Sequence, residues 1–279
     1  MTDIAARIGR ALETRFGSSL PLPAVAEGLD SLARMLEHRS QRRYTAQPVT
    51  DDLLQLLFAC ALSAPSKSDL QQTDIVNVRD PALRGRVAAR VPDAAWLADA
   101  PVFLVFCGNN RRTRQVAGWR GKTFANDHLD AFMNAAVDAG IVLMNFINAA
   151  EAAGLGCCPI STVRNDAQGV SDLLELPDWV FPLAGLCVGY PEKAGVITPR
   201  LPLAVTVHTD RFSETGIEEK VDAYDRRRAA LLPYAKQRGI KQFGEAAFYG
   251  WSEDKARQYA KPQRADFGEF IRRKHFNLA

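Results

Sequence analysis

Apolar residues recur at helical spacing near both ends of the chain and gather into short unbroken runs in its middle. The N-terminal stretch MTDIAARIGRALETRFG is amphipathic and predicts a helix. Leu20-Pro21-Leu22-Pro23 breaks it, and a second helix is expected over residues 24–37. Thr50 is a good N-cap for a helix carrying Leu53, Leu54, Leu56 and Leu57. That helix should stop near Ala64-Pro65, because a residue before proline avoids the α region. Residues 75–78 read as a strand and 81–89 as a short helix. Residues 101–107 are continuously apolar, which predicts a strand buried on both faces. A long helix is expected over 128–153, closed by Gly154. A short strand over 157–160, a helix capped by Asn165-Asp166 and running to Leu174, and a central strand over 182–191 follow. Residues 218–238 and 252–273 read as charged helices. Few strands, separated by helices of unequal length, indicate mixed α and β structure rather than a regular βαβ series.

Residues 131–150, AFMNAAVDAGIVLMNFINAA, have about the 20-residue length a bilayer requires. Asn134, Asp138, Asn145 and Asn148 interrupt them, with Asp138 near the middle. A helix apolar on nearly all sides also suits a large core or an obligate dimer interface, and that reading is preferred to a membrane span.

At 279 residues the chain is long enough for one large domain or two small ones. Its 47% apolar and 24% charged residues exclude a disordered, collagen-like or coiled-coil protein. With 35 basic against 32 acidic residues there is no strong electrostatic case for nucleic acid or an acidic membrane. The five cysteines have no framework spacing and no C-x-x-C, which favours a reducing, cytoplasmic setting. The N-terminus has no apolar signal core, and Asp3 and Glu13 count against a transit peptide. Four scattered histidines offer no metal-site spacing.

Candidate chemistry lies in five segments. In Glu37-His38-Arg39-Ser40-Gln41-Arg42-Arg43, planar guanidinium forks, a hydroxyl and an imidazole could serve an oxyanion, or simply form a solvated basic helix end. Residues 64–72 hold Ser66, Lys67, Ser68 and Gln71, suited to a polar ligand or to an ordinary turn. Gly154-Leu155-Gly156 follows a helix and precedes a strand, the reverse of a dinucleotide fingerprint. The adjacent Cys157 and Cys158 read as packed thiols rather than a redox pair. Thr198-Pro199-Arg200 presents one guanidinium on a rigid backbone, and the basic stretch 255–274 could be a solvated helix face. No G-x-S-x-G, triad-like set or P-loop is present.

It is the order of these motifs that is informative. H-R-S-x-R, a Ser-containing loop, G-L-G before a strand, P-L-x-G-L-C-x-G-x-P, P-R-L-P and a late W-S-x8-K-x2-R pattern (Trp251, Ser252, Lys261, Arg264) follow one another. In this order the chain resembles the FMN-dependent nitroreductase superfamily, in its NADPH-preferring, oxygen-insensitive nitroreductase and flavin reductase branch. The resemblance covers residues 37–279, implying an FMN-binding domain there and a helical N-terminal extension over 1–36. It implies an α+β fold with a mostly antiparallel central sheet flanked by helices, assembled as an intertwined homodimer.

By this resemblance FMN is the cofactor, NADPH or NADH the electron donor, and nitroaromatics, quinones or free flavins the oxidants, reduced two electrons at a time by a ping-pong mechanism. His38, Arg39, Ser40 and Arg42 would hold the FMN phosphate and flavin edge. Ser66, Ser68 and Gln71 would contact the ribityl chain and ring, with Pro159, Ile160, Ser161 and Thr162 along the isoalloxazine and Arg200 at the phosphate. Arg264, and less directly Arg238, would contact NADPH. No side chain is expected to act as nucleophile or acid–base catalyst, and no metal is expected. The chain departs from its relatives at Ser161 and Thr162 (Gly-Gly there), at Pro159 (an aromatic residue) and at Thr198 (a lysine). Lys67 could restore part of that lost charge. Two alternatives stand beside this reading, the first kept open by the altered Ser161-Thr162 segment. One is another reductive flavoenzyme on the same fold, such as a dehalogenase or enoate-type reductase. The other is a non-enzymatic flavin-binding redox sensor.

Overall fold

The computed structural model describes residues 2–18, 20, 27–91 and 95–279. In chain order the elements are α1 (Thr2–Phe16), α2 (Leu29–Leu36), α3 (Asp51–Leu62), β1 (Thr73–Asn77), α4 (Pro81–Ala88), β2 (Val102–Asn109), α5 (Arg111–Trp119) and α6 (Leu129–Ala152). There follow β3 (Gly156–Ile160), α7 (Ala167–Leu173), β4 (Val180–Gly189), α8 (Leu203–Thr206), α9 (Ile217–Leu231), α10 (Ile240–Phe243), α11 (Trp251–Tyr259) and α12 (Phe267–Arg273). The described residues form two compact units, one of residues 40–195 with 264–279 and one of residues 1–39 with 196–263. The first 36 residues, expected as an extension, thus share a unit with a later part of the chain.

In the larger unit the four strands form one antiparallel sheet in the order β1-β2-β4-β3. β2 is buried along its whole length, as its apolar run requires. Alternation sends Phe103, Val105 and Cys107 into one core with Val87, Leu97, Ile160 and Val170. It sends Val102, Leu104 and Phe106 into a second core with Leu54, Leu57, Phe146 and Ala150. Helices therefore cover both faces, which is why an antiparallel strand carries the unbroken apolar run usual for parallel ones. Thr50 caps α3 by accepting from the Leu53 amide, and Asp166 caps α7 by accepting from Gly169. Gly154 takes φ +80 just beyond α6, the left-handed turn that ends the helix.

α6 presents two apolar stripes. Ala135, Ala139, Val142, Phe146 and Ala150 are buried, whereas Leu129, Met133, Val137, Ile141 and Met144 face outward. It is long and apolar enough to cross a bilayer, yet Asp138 in its middle is buried in a hydrogen-bonded setting. In the smaller unit, Ile8 and Leu12 of α1 pack on Ala33 of α2. Arg7 joins the two helices through Glu37 and Asp30.

Two expectations are corrected. The helix expected over 218–238 ends at Leu231, because Leu232 precedes Pro233 and is driven to φ −150. The helix expected over 252–273 is two, α11 and α12, interrupted around Pro262 and Arg264, the latter at φ +54. α5 has no counterpart in the expected elements; none of its residues is buried, so no apolar period announced it. The break expected at 21–23 and the first residues of the second helix, 24–26, lie outside the described residues.

Candidate functional site

The larger unit brings together segments that are far apart in sequence. Ser40 bridges to Cys157, and the Gln41 amide donates to the Cys157 carbonyl at 2.8 Å. Ser40 and Gln41 of the H-R-S-x-R segment thus run beside β3. A Cβ on Gly156 would lie 2.5 Å from Gln41 Cγ, so the second glycine of G-L-G is set by this close approach. Arg42 is exposed, its guanidinium carbon 6.0 Å from the centre of the Trp96 ring.

The loop 66–72 is anchored on a residue that the sequence patterns did not single out as functional. Asp138 accepts from Ser66 Oγ at 2.8 Å, the Lys67 amide at 3.0 Å and the Gln72 amide at 3.4 Å. Ser66 Oγ in turn accepts from the Gln71 amide at 2.7 Å. Ser68, Asp69 and Gln71 all take positive φ, a strained loop held by these bonds. The loop walls a cavity of about 570 Å³ with Ser66, Gln71, Gln72, Thr73, Arg112 and Asp138 around it. Lys67 and Ser68 are not among its walls; Lys67 Nζ donates to Ser68 Oγ at 2.8 Å. Gln72 Nε2 and Thr73 Oγ1, on two of the lining residues, are buried without a hydrogen-bond partner.

At the end of β3, Pro159 and Ser161 are exposed, Thr162 is half-buried, and Ile160 packs inward opposite Gly185. Arg264 reaches this turn, donating from Nε to Asn165 Oδ1 at 2.8 Å and from Nη2 to Ser161 Oγ at 3.1 Å. Arg164 lies close by; burial, then the charge of Arg264, lowers its pKa. Two guanidiniums therefore flank the segment at which the chain departs from the expected Gly-Gly. Burial pushes the Cys157 and Cys158 thiols up, so both stay protonated and unreactive.

The smaller unit carries the remaining candidates. His38 and Arg39 are half-buried, and Arg39 Nε donates to the Glu37 carbonyl at 2.9 Å. Arg200 is exposed and donates to Thr198 Oγ1 at 2.6 Å. Arg238 is also exposed and lies 3.6 Å from Asp254.

The chain as a whole is similar to known proteins. Residues 35–190 match the model of the nitroreductase family, and 198–279 that of the nitroreductase family C-terminal domain. The chain is 30% identical over 247 residues to the FMN reductase (NAD(P)H) of Bacillus subtilis strain 168, spanning 88% of this chain and 96% of that protein. It is 32% identical to the oxygen-insensitive NADPH nitroreductase of Salmonella typhimurium, across 84% of this chain and 92% of that one. The NADPH:FMN oxidoreductase of Vibrio harveyi, solved in complex with NAD+, superposes with a TM-score of 0.77 at 30% identity, covering 88% of this chain and 97% of that chain. Sequence order, antiparallel sheet and structural similarity agree, and the chain belongs to the nitroreductase family.

Proposed function

We propose that the protein is an FMN-dependent NAD(P)H oxidoreductase that reduces nitroaromatics, quinones or free flavins, acting as a cytoplasmic homodimer through residues 37–279. The observation that carries this reading is the Asp138-anchored loop, which together with Arg112 walls a cavity of about 570 Å³ and presents Ser66 and Gln71 to it. The Ser66 hydroxyl, the Gln71 amide and the Arg112 guanidinium suit the heteroatom edge of a flavin ring, and the family resemblance assigns its phosphate to His38, Arg39, Ser40 and Arg200. The residues present therefore fit FMN.

Bound FMN supplies two-electron hydride chemistry between a nicotinamide and an oxidant. The chain's part is to bind and orient. Ser66 and Gln71 line the cavity on a loop that Asp138 pins at Ser66, Lys67 and Gln72. Arg42 adds positive charge near β3, and the exposed Pro159 and Ser161 with the half-buried Thr162 would border bound FMN where a donor and an oxidant could bind in turn, as a ping-pong cycle requires. Arg264, on Ser161 and Asn165, is set to meet the phosphates of NADPH, with Arg238 as a second cation. The outward stripe of α6 supports the dimer, because a row of five large apolar side chains on one helix face is unusual on a free surface.

The test is the absorption spectrum of the purified protein, followed by anaerobic titration with NADPH and addition of a nitroaromatic. A yellow protein that bleaches with NADPH and recolours with the oxidant is expected. A colourless protein that takes up no FMN ends the reading. Bound FMN without NADPH consumption points instead to a flavin-binding sensor.

A further inference from the structure

Helix α1 precedes every motif of the family resemblance, yet its last turn is built into the residues assigned to the FMN phosphate. Arg15 is 5% exposed, close to full burial for a guanidinium. Its Nε donates to the Leu36 carbonyl at 2.5 Å and its Nη1 to the Thr198 carbonyl at 3.3 Å. Its Nη2 donates to the His38 carbonyl. One planar fork thus clamps the H-R-S-x-R segment and the Thr198-Pro199-Arg200 segment, which lie 160 positions apart between His38 and Thr198. The backbone of Arg15 takes part too: its carbonyl accepts from the Arg200 amide at 2.6 Å.

Other groups complete the clamp. Arg227 donates to the carbonyls of Thr14 at 3.0 Å, Arg15 at 2.8 Å and Arg200 at 3.0 Å. The buried Tyr224 hydroxyl donates to the Pro199 carbonyl at 3.2 Å. Each of residues 198–200 therefore has its carbonyl held by a side chain, and the Arg200 amide is held by α1. Upstream, Arg7 grips Glu37 with two bonds, at 3.2 and 2.7 Å, which fixes the residue directly before His38.

We infer that Arg15 is a positioning residue of the flavin-phosphate site and that α1 is a working part of that site. A phosphate is recognised by donors in fixed places, and long arginine side chains lose affinity when their backbone wanders. Arg15 ties together the two backbone segments that carry Arg39 and Arg200, so the order of one depends on the other. A buried cation donating to several main-chain carbonyls at once fixes them more firmly than neutral side chains would, since charge-assisted bonds are shorter and about twice as strong. This inference rests on the FMN reading above and extends it to a residue outside the motifs of the family.

The experiment compares FMN with riboflavin, which lacks only the phosphate, by quenching of flavin fluorescence on the apoprotein. The wild-type chain should prefer FMN strongly. Arg15→Ala should lower that preference by about tenfold or more, the worth of one charge-assisted bond, while riboflavin binding changes little. Arg15→Lys, which keeps the charge but reaches fewer carbonyls, should fall between, and it carries the test if the alanine variant does not fold. Arg10→Ala, at an exposed position of the same helix, should match wild type. Equal weakening for FMN and riboflavin would reduce Arg15 to a general stabiliser and overturn the inference, as would an unchanged preference. A wild-type protein that binds riboflavin as well as FMN would remove the phosphate site itself, and the inference with it.

Discussion

Ser66 and Asp138 are 72 positions apart, and the serine hydroxyl donates to the buried carboxylate at 2.8 Å. The same carboxylate accepts two amides of the loop that Ser66 opens. A charged group in the middle of an apolar helix is costly unless it is bonded, and here the bonds run to a loop that needs them. Three loop residues, Ser68, Asp69 and Gln71, sit at positive φ, and Asp138 pins the loop on either side of them, at Ser66 and Lys67 and at Gln72. The helix thereby dictates the shape of the cavity wall.

Asp138→Ala should leave three loop donors without an acceptor. At about 1–3 kcal/mol for each buried donor left unpaired, the variant should lose several kcal/mol, partly recovered where water enters. Its Tm should fall by at least ~4 °C, and it should purify with less flavin. Asp138→Asn, close in shape, should be milder in stability but still lose flavin, because one acceptor oxygen becomes a donor. Calorimetry and the ratio of flavin to protein absorbance would measure both. Unchanged flavin content in the alanine variant would refute the role given to Asp138.

The outward stripe of α6 predicts the assembly. Leu129, Met133, Val137, Ile141 and Met144 are each 37–54% exposed in the single chain. Their spacing of three and four residues puts them on one face, opposite the buried Ala135, Ala139 and Phe146. The chain should sediment as a dimer at micromolar concentration, and Ile141→Glu should shift it to monomer, because an unpaired charge would then be buried in the interface. A wild-type monomer in the same experiment would contradict the dimer.

Acid should loosen the first two helices. Hydrogen bonding to Arg7 holds the Glu37 carboxyl below its ordinary value of 4.5. The folded group releases its proton more readily than the unfolded one, so its contribution is complete above about pH 4.5 and fades as pH falls through the folded value. Urea midpoints of wild type and Glu37→Gln should therefore differ at neutral pH and converge in acid. A gap that persists unchanged well below pH 4.5 would show that the ion pair is not its source.

How far the sequence foretold this molecule depended on the range of the interaction. β2 and α6 were legible because long apolar runs and helical periods are local properties, and the Thr50 and Asp166 caps sit beside the helices they start. Asp138 was visible only as an interruption of an apolar helix; a lone acid in such a place is a signal that some distant donor needs it, but not which one. Arg15 and Thr198 meet across 183 positions, with nothing in either neighbourhood to mark the contact. The break between α11 and α12 was marked locally by Pro262, yet the charge pattern ran on across it. The unpartnered Gln72 Nε2 and Thr73 Oγ1 left no trace in sequence, because the burial of a single polar atom is set by distant packing.

The donor preference should rest on Arg264. Its guanidinium donates to Asn165 and Ser161, and its backbone is held at φ +54, a conformation that a non-glycine residue adopts only where its surroundings fix it. NADPH differs from NADH by one 2′-phosphate, so discrimination needs a cation near that group. A well-placed Arg–phosphate bond is worth roughly 1.5–3 kcal/mol, about 10- to 150-fold in kcat/KM. Steady-state kinetics of Arg264→Ala should show that loss with NADPH and little change with NADH. Ser161→Gly, which removes one of the two bonds that orient Arg264, should lose part of the same preference and leave the flavin content intact. Arg238→Ala tests the second cation, whose side chain is already drawn toward Asp254 at 3.6 Å and should matter less. An equal fall for both donors in Arg264→Ala, or a wild type that already favours NADH, would take the assignment away from Arg264 while the flavin chemistry stands.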